Sequence, residues 1–233
     1  MNFKYRFEFP DREVEDFVVR IDDRSLEVNS PIPDSLPQWT ELTFNICPHC
    51  TLDAKTVSHC PLAVRISGII DRFKTLVSHD EATVKVATKD RMYACKTTVQ
   101  RGLGSLLGLV IATSGCPHTA FFRPMARFHL PFSSEEETIY RVAGMYLIGQ
   151  FFQKSEGKDV EVNLSGLSAL YTNVEIVNGH IAKRLRAVTS EDASVNAIIL
   201  LDFFAKSMPY VIEDQLEDIR QIYSAYLDTP ALE

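Results

Sequence analysis

The sequence predicts an α+β fold, with antiparallel β-hairpins in a meander at the N-terminus packed on a C-terminal bundle of about five helices. Apolar and polar residues alternate in FKYRFEF (3–9) and recur in this way through the first third of the chain, as is typical of half-buried strands. From about residue 98 the apolar residues instead recur at helical spacing. We therefore expect a β-rich part, 1–97, and a helical part, 98–228, which form one cooperative unit.

The β-rich part contains four further elements. EDFVVRID (15–22) follows a Pro-Asp turn, and WTELTFNI (39–46) alternates again, so both are expected to be strands. ATVKVAT and RMYACKTTV flank a Lys-Asp turn and predict a hairpin. The residues 61–78 have helical spacing, and Pro61 suits the first turn of a helix because its missing N–H is not needed there.

The helical part begins with a segment that ends near Gly115, a suitable C-cap. The run SSEEETIYRV predicts a capping box from Ser133 to Glu136. The segment ASVNAIILLDFFAKSM is apolar nearly all round, which predicts the most buried helix, and Pro209 is expected to end it. The five predicted helical segments are 98–113, 133–152, 164–188, 193–208 and 210–227.

Composition and charge exclude several classes of protein. The formal net charge is −7, which disfavours non-specific nucleic-acid binding because that binding needs a basic face. The first ten residues contain no apolar stretch of the kind found in secretory signals. The longest apolar segment, LGSLLGLVIA (103–112), is about half of the roughly 20 residues needed to cross a bilayer. We therefore expect a cytoplasmic protein that binds neither nucleic acid nor membrane.

Three of the five cysteines lie within FNICPHCTLDAKTVSHCPLAV (44–64). Cys47 and Cys50 form a C-x2-C motif, in which a tight turn lets two thiolates bind one ion. Zinc needs about four such ligands, so Cys60 and the distant Cys116 are the expected second pair. The sequence therefore predicts a structural zinc centre that joins the β-rich and helical parts. The alternate ligands are His49, His59 and His118.

The same residues allow two catalytic alternatives. Cys-Pro-His-Cys is the active-site tetrapeptide of some strongly oxidising thioredoxin-fold enzymes, so Cys47 and Cys50 could form a redox dithiol. That motif opens a long helix inside a βαβ unit, whereas TLDAKTVSHCP has no sustained helical periodicity. A metal centre with an open position near Cys116 and His118 would instead make the protein a metalloenzyme. Thiols buried only for packing are the third alternative.

A second group of polar residues lies in the connector CPHTAFFRPMARFH, which contains Arg123, Arg127 and His129. Two arginines can together bind a carboxylate or phosphate, and a histidine can act as acid or base. This pattern predicts a site for a small anionic ligand. The alternative is that both arginines form structural ion pairs, because Glu135, Glu136 and Glu137 follow closely.

Several long stretches resemble an uncharacterised family of bacterial conserved hypothetical proteins. They are CPHC, HCPLAV, TSGCPHTAFFRPMARFHLPFSSEEET and EDASVNAIILLDFFAKSMP. The resemblance implies a bacterial cytosolic protein of unknown function, and it transfers no catalytic residue. The chain contains no G-x-S-x-G, P-loop or H-E-x-x-H motif. The glycines Gly102, Gly104 and Gly108 depart from the dinucleotide-binding pattern and predict close helix packing instead.

These observations favour a zinc-stabilised cytosolic binding or regulatory module without catalysis. The alternative is a thiol redox protein or metalloenzyme. The expected partner is an unidentified protein, which includes a second copy of the chain in a homodimer, or a small anionic ligand.

Overall fold

The computed structural model describes residues 1–189 and 192–228. The chain divides into two compact units that are discontinuous in sequence. Unit 1 comprises Met1–Phe132 with Asn173–Phe203, and unit 2 comprises Ser133–Thr172 with the described residues after Phe203. The expected division at residue 97 concerns how parts of the chain fold together, and it stays a prediction.

Unit 1 contains a four-stranded antiparallel sheet with the strand order β2-β1-β3-β4. Its strands are β1 (Asn2–Glu8), β2 (Glu15–Arg20), β3 (Glu81–Ala87) and β4 (Met92–Thr98). Alternate residues of the two central strands are buried on one face, as the period-two pattern predicts. These buried residues are Phe3, Tyr5, Phe7, Ala82, Val84 and Val86.

The helices α1 (Pro61–Phe73) and α2 (Val99–Ala112) belong to the same core as this face of the sheet. The ring centroids of Phe73 and Phe7 are 4.9 Å apart. A Cβ atom added at Gly102 would lie 2.7 Å from a methyl group of Val84 and 2.9 Å from the Phe7 ring. Gly102 therefore lets α2 approach the sheet closely, in agreement with the packing role that its sequence predicts.

The described residues form seven α-helices rather than a bundle of about five. One of the seven, α1, is the helix expected at 61–78, while two others, Arg123–Arg127 and Ser224–Leu227, are too short to produce a periodic apolar pattern over several turns. An α+β fold is confirmed, and within the described residues no helix is both long and apolar enough to cross a membrane. The remaining helices are α3 (Arg123–Arg127), α4 (Glu135–Ser155), α5 (Leu167–Arg186), α6 (Ala193–Asp218) and α7 (Ser224–Leu227).

The strand expected over 39–46 is wrong. The structure has a short 3-10 helix at Gln38–Thr40 followed by turns, and only Glu41 forms an isolated β-bridge, with His59. Asn45 has a φ of 46°, in the left-handed region that asparagine tolerates better than other side chains. The alternation of apolar residues here arises because a folded loop buries some of them. Such a loop can bury alternate residues without pairing with another strand.

Two expectations about helix ends and one about burial are also corrected. The capping box lies one residue later than expected, because Ser134 Oγ accepts from Glu137 N at 3.1 Å and Glu137 Oε2 accepts from Ser134 N at 2.7 Å. α6 continues through Pro209 to Asp218, so the proline does not end this helix. α6 is not fully buried, as Phe203 is 69% exposed.

Candidate metal centre

Four of the five cysteines are supplied by three separate loops of unit 1. Cys47 and Cys50 lie across a turn in which Cys50 N donates to Cys47 O at 3.0 Å. Cys60 is the residue immediately before α1. Cys116 follows the end of α2, directly after Gly115, whose φ of 90° lets the chain reverse there. All of the cysteines are free thiols.

A contact between two histidines connects the first of these loops to the last. His118 Nε2 donates to the backbone oxygen of His49 at 2.7 Å, and the two rings stack with centroids 3.9 Å apart. Each histidine ends a Cys-Pro-His tripeptide, one at 47–49 and one at 116–118. The contact therefore brings the Cys116 loop to the Cys47–Cys50 turn. The repeated tripeptide is the sequence signal that could have predicted this pairing.

The four thiols act on one another electrostatically. Burial, and then the nearby thiols of Cys60, Cys116 and Cys50, together raise the pKa of Cys47 to about 12. Burial also raises the pKa of Cys116, while hydrogen bonding from the backbone of His118 partly opposes that rise. Without a bound metal ion, Cys47 and Cys116 therefore favour their protonated form. We call these four residues, Cys47, Cys50, Cys60 and Cys116, the cysteine cluster.

Arg184 of α5 lies beside the cysteine cluster and was not anticipated from the sequence. Its side chain is only 2% exposed. Burial lowers the pKa of Arg184, and the thiols of Cys60, Cys47 and Cys50 act in the opposite direction. Arginine nevertheless keeps its charge in proteins. The cluster therefore has a permanent positive charge next to it.

The guanidinium of Arg184 fixes the loop that precedes the C-x2-C turn. It donates to the carbonyl oxygens of Trp39 at 2.6 Å, Glu41 at 2.8 Å and Leu42 at 3.1 Å. The carbonyl oxygen between them, that of Thr40, accepts from Cys60 N at 2.8 Å. Four consecutive carbonyl groups are thus bonded either to Arg184 or to a cluster residue, which satisfies the backbone of a loop that forms no sheet.

The histidines proposed as alternate ligands already have other partners. His49 Nε2 is 3.1 Å from the carbonyl oxygen of Asn173, so this nitrogen carries the hydrogen. Its Nδ1 is then a buried lone pair without a hydrogen-bond partner in the described chain. Burial and the neighbouring His118 lower the pKa of His49, which keeps the ring neutral. His59 Nδ1 is 2.9 Å from the hydroxyl of Ser58.

The donor chemistry of the cluster fits zinc, whose preferred soft ligand is a cysteine thiolate. The present side-chain positions are less favourable. Across residues 1–189 and 192–228, no group of three or more His, Cys, Asp or Glu side chains is arranged so that it could hold a metal ion. Binding would therefore require thiol groups to rotate toward a common point, and a metal centre stays a prediction.

The connector residues predicted to bind an anion lie on or next to α3. Arg123 pairs with Glu27, with 2.5 Å between Nη2 and Oε1, and Arg127 pairs with Asp23 at 3.0 Å. His129 Nε2 lies 2.5 Å from the hydroxyl of Tyr5. The arginines thus form ion pairs with carboxylates of the β-rich part. Binding of an anion by these side chains stays a prediction.

Comparison with known proteins identifies the family. No curated protein and no solved structure matches the chain. A family model described as a domain of unknown function, DUF6901, matches residues 3–224. This match covers nearly the whole chain, and it agrees with the uncharacterised family that the sequence resembles. The protein therefore belongs to the DUF6901 family.

Proposed function

We propose that the protein is a zinc-stabilised binding or regulatory module without catalysis, and that it works in the cytoplasm. The observation that carries the proposal is the cysteine cluster. Four thiols from three loops lie close enough to affect one another electrostatically, and the buried guanidinium of Arg184 lies beside them. Core packing alone gives no reason to bring this many thiols together.

Zinc would act here as a cross-link between loops that contain no strand. Apart from the half-buried Leu52, the side chains from Thr51 to Thr56 are exposed, so this segment has no core of its own. A structural zinc site contributes its binding free energy directly to folding. The loops at 39–60 and 113–119 would then depend on the metal, while the sheet and α2 would not.

Metal content and thermal stability test the proposal together. Protein purified without an affinity metal column should contain about one zinc per chain, and a chelator should lower its melting temperature. Cys47→Ser should reduce the zinc content and the melting temperature. The matched control is Cys95→Ser, because Cys95 lies in β4 and donates to the backbone of Lys96. The proposal is contradicted if the purified protein contains no metal and melts at the same temperature with and without chelator.

The alternative function is a thiol redox protein that uses Cys47 and Cys50. A redox nucleophile needs a lowered thiol pKa, usually at a helix N-terminus. Cys47 has a raised pKa, and turns rather than a helix follow Cys50. These features favour the metal over the dithiol. Reversible loss of two thiols on mild oxidation, with activity on a dithiol substrate, would reverse this preference.

We further propose that the binding surface is on α4 and that its partner is a second copy of the chain. Tyr140, Ile148, Phe151 and Phe152 are all exposed, and their spacing places them on one side of the helix with Gly144. We call these five residues the α4 stripe. The buried residues of α4, including Ile139 and Val142, show that the helix is apolar on its other side as well. A helix that is apolar all round is expected to be covered on both sides.

The charges of α4 favour self-association. The first turn carries Glu135, Glu136 and Glu137, and the last turn carries Lys154. Two copies of α4 packed antiparallel about a two-fold axis near residue 146 would place each Lys154 near the acidic turn of the other helix. The same axis would set Gly144 opposite Ile148, where no Cβ atom obstructs the approach.

Sedimentation velocity tests this surface. The wild-type chain should form a dimer that weakens as salt concentration rises, and Phe152→Asp should be monomeric. Met92→Asp is the matched control, because Met92 is an exposed apolar residue of β4 and lies outside the α4 stripe. A wild-type chain that is monomeric at all accessible concentrations, or a dimer that Phe152→Asp leaves intact, contradicts the proposal.

A small anionic ligand is the weaker proposal for the connector. An anion at Arg123 and Arg127 would have to displace Glu27 and Asp23 from their ion pairs. Thermal shifts across a panel of carboxylates and phosphates would support it only if Arg123→Ala and Arg127→Ala abolish them.

A further inference from the structure

A cleft in unit 1 lies between the outer edge of β2, the segment 28–33 and α1. Its volume is about 370 Å³, which is within the roughly 300–1,000 Å³ typical of small-molecule sites. Most of the residues that line it are apolar, among them Val18, Ile32 and Ile69. Val18 and Ile32 are also exposed, so apolar groups of the cleft are open to solvent.

One of the two guanidinium groups that line the cleft lacks a carboxylate partner. Arg65 Nη1 donates to the backbone oxygen of Ser30 at 2.7 Å, and no Asp or Glu in the described part of the chain forms an ion pair with it. Glu27 stabilises its charge from beyond ion-pair distance, because that carboxylate is engaged in another ion pair. Arg72, by contrast, is paired with Glu15. A partly buried guanidinium in apolar surroundings is well suited to bind a carboxylate.

The outer edge of β2 offers a ligand donors rather than acceptors. Its outward carbonyl oxygens already accept hydrogen bonds, Arg20 O from Asn29 N at 2.8 Å, Val18 O from Ser30 Oγ at 3.3 Å and Asp16 O from Arg72 Nη1 at 2.8 Å. Val18 N points outward too, since Val18 and Arg20 have the same orientation in the β1–β2 ladder, and none of the described residues accepts from it. An added strand needs donors and acceptors in alternation, whereas a carboxylate needs donors only.

Gly68 lies in the middle of α1 and lines the cleft. A Cβ atom added there would meet no atom within 4 Å, so packing does not require glycine at this position. Glycine destabilises the interior of a helix relative to alanine. The fold therefore gives no reason for this residue, whereas a ligand does, because the missing side chain keeps the cleft open along α1.

We propose that this cleft binds a small monocarboxylate with an apolar body, such as a medium-chain fatty acid or an arylalkanoic acid. The carboxylate accepts hydrogen bonds from Arg65 and Val18 N, which lie in the same part of the cleft because Ser30 is bonded to both residues. The apolar body packs over Gly68 and against Ile69. None of the lining residues is a cysteine, so this inference does not depend on the proposed zinc site.

Isothermal titration calorimetry with octanoate, phenylpropionate, octanol and acetate tests the class of ligand. Octanoate should bind at least about tenfold more tightly than octanol, because its charged group adds hydrogen bonds to the same apolar contact. Acetate, which lacks the apolar body, should show no binding. The proposal is overturned if neither octanoate nor phenylpropionate binds, or if octanol binds as tightly as octanoate.

A substitution that fills the cleft tests the place of binding. Gly68→Leu should abolish the binding of octanoate and of octanol. Gly179→Leu is the matched control and should bind both as the wild type does, because Gly179 lies inside α5 and a Cβ atom there also meets no atom within 4 Å. Both variants should melt at or above the wild-type temperature, since each replaces a helical glycine. Octanoate that binds Gly68→Leu as tightly as the wild type overturns the proposal.

A substitution that removes the charge tests the recognition of the carboxylate. Arg65→Gln should bind octanoate at least about tenfold less tightly and octanol as the wild type does. Unchanged octanoate affinity in this variant overturns the role of Arg65. If Arg65→Gln does not fold, the preference of the wild type for octanoate over octanol decides whether a charge is recognised.

Two further outcomes separate this inference from its alternatives. A capped peptide of alternating valine and threonine that binds the wild type but not Gly68→Leu, while octanoate binds neither, would identify strand addition at β2 and overturn the proposal. Metal content is measured on the same protein. A chain that holds zinc but binds no monocarboxylate contradicts this inference alone, and a chain that binds octanoate but holds no zinc contradicts the zinc proposal alone.

Discussion

The sheet with its covering helices and the cysteine-bearing loops of unit 1 are stabilised in different ways. In the core, burial and shape dominate, as the contact of Gly102 with Val84 and Phe7 illustrates. In the loops, Arg184 donates to the carbonyl oxygens of three residues and four thiols lie close together, while Trp39 and Leu42 supply buried apolar contacts. We therefore expect changes of side-chain volume to be the sharpest test of the core, and changes that remove Arg184 or the thiols to be the sharpest test of the loops.

The largest effect is expected from removal of the proposed zinc ion, which should affect only the loops. After chelation, the backbone amides of residues 39–60 and 113–119 should exchange hydrogen at least about tenfold faster. Amides of β1 and β3 should keep their protection, because their hydrogen bonds lie within the sheet. Hydrogen exchange followed by mass spectrometry measures both regions at once. Equal loss of protection in the sheet would show that the metal also stabilises the core.

The next effect concerns volume in the core. Gly102→Ala should destabilise the protein by about 1–3 kcal/mol, because the new methyl group overlaps Val84 and Phe7. Gly108→Ala is the control, since its Cβ atom would make an ordinary contact of 3.7 Å with Leu201, and the gain in helix propensity should stabilise it by up to about 1 kcal/mol. Urea unfolding measures both, and zinc content should be unchanged. Equal effects at the two glycines would contradict the close approach of α2.

A smaller effect concerns a polar group inside the core. Tyr5 is bonded to Ser105 at 3.0 Å and to His129, so Tyr5→Phe should cost about 1 kcal/mol at pH 7. Burial raises the pKa of Tyr5 above its ordinary value of 10.0. The stability that this shift contributes is fully present below about pH 10 and is lost as the pH rises further. Between about pH 10 and 11, Tyr5→Phe should therefore lose stability less steeply than the wild type.

The matched control for this pH dependence is Tyr226→Phe, because Tyr226 is 79% exposed. Its unfolding free energy should follow that of the wild type over the whole pH range. Burial also raises the pKa of Tyr171, so Tyr5→Phe should remove only part of the alkaline slope. If the slope is the same in both variants, Tyr5 makes no contribution of this kind.

The smallest effect is expected at the connector. Arg123 and Glu27 form a partly exposed ion pair, with side chains 26% and 50% exposed. A double-mutant cycle with Arg123→Gln and Glu27→Gln should give a coupling of about 0.2–1 kcal/mol that decreases with salt. A coupling free energy several times larger would contradict this expectation. It would mean that the Arg123–Glu27 ion pair stabilises the connector as strongly as we expect Arg184 to stabilise the loops.

The sequence predicts the core much better than the loops. Alternation in β1, Pro61 at the start of α1 and Gly102 in α2 each follow from a local pattern, and the structure agrees with all three. The wrong strand at 39–46 shows the limit of this approach. Alternating burial also arises in a loop, and only the partners of its backbone groups distinguish the two cases.

Arg184 was missed for a related reason. It lies in AKRLR between Lys183 and Arg186, and such a basic run is typical of a solvated helix end. Its position three residues after the buried Ile181 and seven after the buried Val177 is a local sign that it faces the interior. Its partners, Trp39 and the thiols, are far away in sequence, so no periodicity can reveal them. Distant contacts of this kind determine the candidate site.

The long separation between Arg184 and its partners has a consequence for the order of folding. Trp39 and Arg184 are 145 residues apart, so the loop they stabilise can reach its final form only after α5 has been synthesised and docked. Until then the thiols of Cys47, Cys50 and Cys60 remain open to oxidants. We expect the yield of correctly folded chain to depend on a reducing environment during this interval, even though the finished protein contains no disulfide.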